Sequence, residues 1–394
     1  MARSPDHPIL YDSRLLFLAI LVLLIWLYLF FLHARFWQVQ KYLLPGDLST
    51  TECLVAVIIP ARNEADAIGR AVTSLLKQSV AGRVHIFVVD DNSTDRTASI
   101  AREVAETLGA RTLLTVIRGT ELPPGWTGKV WAMHQGWLAA REMRPDYLLL
   151  TDADVEHAPD NLARLIAQAE RGPHDLASLM VKLRCDTLAE KFLIPAFVYF
   201  FFLLYPPERV ADPRSRVAGA AGGCVLLCPG ALEKAGGFEA IRGEIIDDCS
   251  LATAGKKAGG RLWLGATAET ISIRGYGSFA NIHDMIARTA FNQLRHSTSL
   301  LIGCIAGMLL TFMVPLALVW SSDPIVGWIA AGACMLMFAT YVPVLKLYRV
   351  NILAAVTLPF AALFYLWATI HSAMNYWRGQ GGEWKGRAQD RKLD

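Results

Sequence analysis

The chain has 394 residues, of which 54% are hydrophobic and only 19% charged, with a formal net charge of +3. That composition is too apolar for a purely soluble protein and excludes global disorder, and so small a charge leaves no basic footprint for a phosphate backbone, so no nucleic-acid partner is expected. Seven cysteines, Cys53, Cys185, Cys224, Cys228, Cys249, Cys304 and Cys334, are odd in number and scattered, which points to reduced, mostly buried thiols rather than a disulfide framework or zinc site.

Residues 15–32 carry no charge, and as a helix these 18 residues reach roughly 27 Å, close to the thickness of a bilayer's hydrocarbon layer. The run is too long for a cleaved signal peptide, no small-residue cleavage site follows, and His33, Arg35, Phe36, Trp37 and Tyr42 read as an interfacial anchor. Residues 1–45 are therefore expected to form an N-terminal transmembrane anchor.

A water-facing domain is expected over 46–297. Residues 54–59 form an uninterrupted, β-branched apolar run, the pattern of a strand buried on both faces. Ile68, Val72, Leu75 and Leu76 then share a helix face, 84–89 reads as a second strand, 94–108 as a capped helix, and 112–117 and 147–151 as further strands. This alternation predicts a parallel α/β sheet, whose ligands gather beyond the carboxyl ends of the strands. Acidic residues sit at those ends. Asp152 and Asp154 are two apart at a strand terminus, so their carboxylates converge, and a divalent cation relieves their repulsion; oxygen-only donors suit Mg2+ or Mn2+. Asp90 or Asp91 closes the second strand and can accept hydrogen bonds from a base or ribose, while Arg62 and Glu64 close the first. Taken singly, each of these groups also reads as a cap or a charged turn.

Residues 192–205 are apolar but only 14 long, too short to cross a bilayer. They read either as a core helix or, as we favour, as an interfacial helix in the headgroup layer beside the site. Gly219-Ala220-Ala221-Gly222-Gly223 lacks dinucleotide-binding spacing and fits a strand that permits close approach. Residues 249–256 read as a helix. Three further spans are expected at 300–320, 325–345 and 352–370, within a C-terminal membrane region 298–377, followed by a basic tail 378–394. Arg35, Lys41, Arg288, Arg295, Lys346 and Arg349 place the large domain on the cytoplasmic side of the inner membrane. A fourth full span would export the tail, whose Arg378, Lys385, Arg387, Arg391 and Lys392 favour the inside, so its side stays open.

The ordered motifs Val57-Ile58-Ile59-Pro60-Ala61-Arg62-Asn63-Glu64, Val88-Val89-Asp90-Asp91-Asn92-Ser93-Thr94-Asp95, Gly128-Lys129 with Ala132, and Asp152-Ala153-Asp154 resemble those of family 2 glycosyltransferases over about 54–297. The Trp126-Thr127-Gly128-Lys129 stretch and apolar flanks look most like the hopanoid-biosynthesis-associated subgroup, with ceramide glucosyltransferases more distant. The resemblance implies a GT-A nucleotide-diphosphosugar transferase domain with a Rossmann-like mixed sheet, flanked by transmembrane helices. It implies a nucleotide-sugar donor, usually a UDP-sugar, held by Pro60, Arg62, Glu64, Asp90, Asp91, Lys129 and Asp152, with the metal at Asp152 and Asp154. It also implies a membrane-lipid acceptor, which for the hopanoid subgroup is a hopanoid. Asp247 and Asp248 are similar to the family's Glu-Asp motif, with Asp248 in the place of the catalytic aspartate; a carboxylate there takes the acceptor hydroxyl's proton during an inverting displacement. The adjacent acids also read as the N-terminal cap of the following helix.

The family's closing Gln-x-x-Arg-Trp is represented by Gln293-Leu294-Arg295-His296, so Arg295 is expected at the diphosphate, with Arg288 or His283 as helpers, while the missing Trp argues for single transfer. A processive synthase with an export channel is the alternative within the family. A transporter with a sugar-nucleotide-sensing domain is the alternative outside it, disfavoured by spans nearly devoid of ionisable groups.

Overall fold

The computed structural model describes residues 13–39, 52–80 and 83–379, together with the backbone of 383–384 and 387–388. Lys41, Tyr42, the junction at 45–46 and tail residues Lys385, Arg391 and Lys392 lie outside the described residues.

Eight strands form one sheet: β1 Val55–Ala61, β2 Val84–Asp90, β3 Leu114–Arg118, β4 Tyr147–Thr151, β5 Val155–Glu156, β6 Leu176–Lys182, β7 Cys224–Leu227 and β8 Leu262–Ser272. Their order is β3-β2-β1-β4-β7-β6-β8-β5. The parallel expectation holds for β3-β2-β1-β4. Beyond β4 the sheet is mixed, because β7 runs antiparallel to both β4 and β6. The glycine-rich segment is not itself a strand: Gly222 and Gly223 turn the chain, and the strand begins only at Cys224. Likewise, β3 starts at Leu114 rather than 112 because Arg111–Leu113 form a short 3-10 turn.

All seven residues of β1 are buried, and the pleat sends alternate side chains to opposite faces. Val55, Val57 and Ile59 pack with Ile68, Val72, Leu75, Leu162 and Ile166. Ala56 and Ile58 pack with Met133 and Trp137, in an apolar core that continues without a break into Tyr199, Phe202, Tyr341 and Trp26 of the long apolar helices. One face of the sheet and the helices therefore share a hydrophobic core, while the other face has its own.

Five helical stretches among the described residues are long and apolar enough to cross a membrane: Ser13–Leu32, Leu188–Ala211, Thr298–Leu318, Pro324–Leu347 and Ile352–Trp377. The second corrects the reading of 192–205 as too short to cross, since the helical stretch there runs over 24 residues. Its helix starts at Leu188 because Thr187 and Glu190 form a reciprocal capping box, so the helix has 17 residues rather than 14. Glu190 also accepts backbone N–H groups from Tyr276 and Gly277 at 2.7 and 3.0 Å, which ties the start of this helix to the loop after β8.

One helix proline is matched by a side-chain donor. Pro315 has no N–H to offer the carbonyl of Thr311, one helical turn back, and the indole of Trp26 donates to that carbonyl at 2.9 Å. Trp26→Phe should therefore lower stability by about 1–3 kcal/mol, the cost of an unsatisfied buried carbonyl. Thermal unfolding in detergent should show a smaller loss in a Pro315→Ala background, where the backbone donor returns; an equal loss in both backgrounds would refute the assignment.

Candidate active site

Two left-handed asparagines shape the loops after β1 and β2, Asn63 at φ 52° and Asn92 at φ 52°. Asn63 joins them, its N–H donating to Ser93 Oγ at 3.0 Å and its Oδ1 accepting from Thr94 N–H at 2.8 Å. Asp90 Oδ1 accepts from Ser93 N–H at 3.1 Å. Asp91 is fully buried, and Arg62 Nη1 donates to its backbone carbonyl at 2.6 Å while standing 3.6 Å from its carboxylate. Asp95 accepts from Ala65 N–H and Thr97 N–H, a capping role.

The acids after β4 meet two other elements. Lys129, the second residue of the helix Gly128–Ala140, places its ammonium 2.9 Å from Asp152 and 3.2 Å from Asp247. Asp247 and Asp248 open the helix Asp247–Lys257, where the helix dipole favours negative charge. Asp248 is oriented by two backbone donors, Gly222 N–H to Oδ2 and Cys249 N–H to Oδ1, both at 2.7 Å. A Cβ on Gly222 would lie 3.1 Å from Asp248 Oδ2 and 3.4 Å from Lys129 Nζ, so the absence of a side chain there is what allows this approach.

Burial and the neighbouring Asp247 carboxylate push Asp248 up to about 6, against the opposing pull of Lys129. Burial likewise raises Asp152, with Lys129 opposing and Asp154 adding to the rise. Lys129 is held above its ordinary range because Asp152 and Asp247 outweigh the effect of its burial.

Asp154 turns to a residue that sequence reasoning missed. Arg274, two residues beyond β8, donates through Nε to Asp154 at 2.6 Å and through Nη2 to Glu64 at 2.6 Å. Its signal in the sequence is faint: one basic residue ahead of a glycine, shortly after the strand Leu262–Ser272.

A buried polar network supports the β4 terminus. Thr151 Oγ1 donates to the Gly223 carbonyl at 2.8 Å and lies 2.9 Å from His157 Nε2, with Asn161 Nδ2 3.1 Å from His157 Nδ1. Burial depresses His157 to about 4, so it is neutral at pH 7. On the other side, Thr127 docks the Trp-Thr-Gly-Lys turn onto the loop before Asp247, its N–H donating to Arg242 O at 2.7 Å and its Oγ1 to Glu244 O at 3.2 Å.

One cavity of about 1160 Å3 is lined by Pro60, Glu64, Lys129, Asp152, Asp154, Asp247, Asp248 and Arg274. The same cavity is lined by Phe197, Phe200, Phe201, Met308, Phe312 and Tyr365 from the apolar helices. Seven expected site residues are thus brought together. Arg62, Asp90 and Asp91 are not among the lining residues, and neither is Arg295, which is exposed at φ 51°. The two proposed helpers differ: Arg288 lines the cavity, whereas His283 is buried against Trp367 and His371. No cluster of three or more His, Cys, Asp or Glu groups suited to a metal occurs among the described residues.

Comparison with known proteins agrees with this geometry. Residues 56–236 match the sequence profile of Glycosyl transferase family 2. Over 121 residues the chain is 39% identical to 4,4'-diaponeurosporenoate glycosyltransferase of Staphylococcus haemolyticus, covering 30% of this chain and 29% of that protein. Over 128 residues it is 29% identical to the undecaprenyl-phosphate 4-deoxy-4-formamido-L-arabinose transferase of Edwardsiella ictaluri, covering 31% of this chain and 35% of that one. The matched stretch thus spans only about a third of the length of these curated relatives. The mannosyltransferase PcManGT from Pyrobaculum calidifontis, solved in complex with GDP-Man and Mn2+, superposes over 92% of this chain and 99% of its own, with a TM-score of 0.56 at 20% identity. With strand order, site and sequence in agreement, residues 56–236 are a glycosyl transferase family 2 domain, set within a GT-A fold.

Proposed function

We propose that the protein is a membrane-bound, inverting glycosyltransferase that moves one sugar from a nucleotide-diphosphosugar, a UDP-sugar by family resemblance, to a hydroxyl on a membrane lipid. The observation that carries this reading is the continuity of one cavity from a cluster of carboxylates to the aromatic faces of membrane-length helices. A headgroup can reach the carboxylates through such a space while its apolar body stays among Phe197, Phe200, Phe201 and Phe312. The hopanoid acceptor rests on the subgroup resemblance. His296, in place of the tryptophan of the family's closing motif, favours single transfer over chain growth. In this reading the domain faces the cytoplasm, and the helix Leu188–Leu204 lies along the membrane surface as the acceptor's guide.

Asp248 is the group suited to act as base. Its carboxylate is fixed by two backbone N–H donors and has its proton affinity raised, so it can accept the acceptor hydroxyl's proton while that oxygen attacks the anomeric carbon. The bond to the diphosphate breaks on the opposite face, and the configuration inverts. Asp247, held through Lys129, positions the base, and Lys129 with Arg274 provides cationic charge on the donor side. The hard carboxylate oxygens of Asp152 and Asp154, both lining the cavity, fit Mg2+ or Mn2+ as a partial ligand set that the diphosphate and water would complete. When bound, such an ion stabilises charge on the leaving diphosphate.

Asp248→Asn should reduce sugar transfer from a UDP-sugar to extracted membrane lipids by about 10²–10⁴-fold, the usual scale for losing a general base. Unchanged transfer, followed by mass analysis of the lipids, would remove the catalytic assignment. Because the base must be deprotonated to work, kcat should rise with pH and level off above about 6, the value to which burial and the neighbouring carboxylate push Asp248. Gly222→Ala should lower kcat with little change in donor affinity, since the new methyl would crowd Asp248 Oδ2 at 3.1 Å. An unaltered kcat would show that this backbone approach is not needed.

A further inference from the structure

Arg274 holds two carboxylates that the donor site would need. Its Nε bonds Asp154 Oδ2 and its Nη2 bonds Glu64 Oε1, each at 2.6 Å, and Ser272 Oγ stands 3.4 Å from that same Asp154 oxygen. All three line the cavity, and the Arg274 side chain is 37% exposed, against 11% for Asp154 and 12% for Glu64, so it is the most accessible of the three. A cation seated there competes with any second cation for Asp154 by occupying its lone pairs and by charge repulsion.

The backbone around Arg274 is tied down on both sides. Ile273 N–H donates to the Asp154 carbonyl at 2.8 Å, and Tyr276 and Gly277 N–H donate to Glu190 at 2.7 and 3.0 Å. Any rearrangement at this point therefore falls to the side chain rather than to the loop. A guanidinium has five N–H donors in a planar fork, which suits the oxygens of a diphosphate as well as a carboxylate. Lys129, between Asp152 and Asp247, offers no such planar fork and is the less accessible cation, its side chain 19% exposed against 37% for Arg274.

We propose that Arg274 is a donor-operated gate on the cation site: it covers Asp154 and Glu64 in the chain alone, and an arriving nucleotide diphosphate draws the guanidinium onto its own oxygens, opening Asp154 to the divalent ion. This rests on the reading that the cavity takes a nucleotide-diphosphosugar with Mg2+ or Mn2+. No bond is made or broken. Metal and nucleotide then bind with positive coupling, and linkage requires each to tighten the other by the same factor, on the order of tenfold or more.

Mn2+ binding to the full-length protein in detergent, followed by loss of the free-ion electron paramagnetic resonance signal with and without UDP, tests this independently of turnover. In the unaltered protein, Mn2+ should bind weakly alone and at least about tenfold tighter with UDP, after subtraction of an Asp154→Asn control. Arg274→Gln should raise nucleotide-free Mn2+ affinity by about tenfold and weaken UDP binding, whereas Arg274→Lys, which keeps the charge, should leave Mn2+ affinity low. Glu64→Gln removes one of the two anchors and should give a smaller rise in the same direction, a second check should the first variant not fold. Unchanged or weaker nucleotide-free Mn2+ binding in Arg274→Gln and Glu64→Gln would overturn the gate while leaving the donor reading intact. Absence of Mn2+ binding even with UDP would overturn the donor and metal reading, and the gate with it.

Discussion

The site depends on the ammonium of Lys129 standing between Asp152 and Asp247. Those carboxylates arrive from different parts of the chain, one at the end of β4 and one at the start of the helix Asp247–Lys257, and each is partly withdrawn from water. Gathering such charges without a counter-charge would cost several kcal/mol, so the cation is a condition of the geometry and not an addition to it. Asp248 is then left as the acid with no lysine of its own, held by backbone N–H groups. Burial and the adjacent Asp247 carboxylate raise the proton affinity of Asp248.

A second constraint couples the site to the membrane-length helices. The face of the sheet carrying Ala56 and Ile58 shares its apolar core with Trp26, Tyr199 and Tyr341, so the sheet cannot tilt against the helices without opening that core. Glu190 adds a polar tie, gathering N–H groups from its own helix start and from the loop that follows Arg274. The carboxylate cluster and the aromatic lining are thereby held in one cavity instead of two neighbouring ones.

Much of this was legible in the residues themselves. Strands β1, β2 and β4 stand almost where uninterrupted β-branched runs and turn residues put them, and the acids at their ends were recognisable from position alone. The second half of the sheet was not. β6, β7 and β8 are apolar segments without the regular strand-helix alternation of the first half, and the pairing of β7 against both β4 and β6 is a long-range choice that no local pattern encodes. Missing β8 meant missing Arg274. Arg295 illustrates the converse, a motif match in sequence that the chain's left-handed turn leaves on the exposed side.

The sequence by itself determined four of the five described segments long and apolar enough for a bilayer, which strands lead the sheet, and which acids stand at strand ends, because these follow from local periodicity and composition. Tertiary structure alone decided which acid is paired with which cation, that the Gly222 backbone N–H meets Asp248, and that Arg274 bridges Asp154 to Glu64. The physical reason is range. Hydrophobic patterning is written in neighbours a few residues apart, whereas compensation of buried charge is settled between residues 118 to 210 positions apart, and only the folded chain brings them within about 3 Å, the reach of a charge-assisted hydrogen bond.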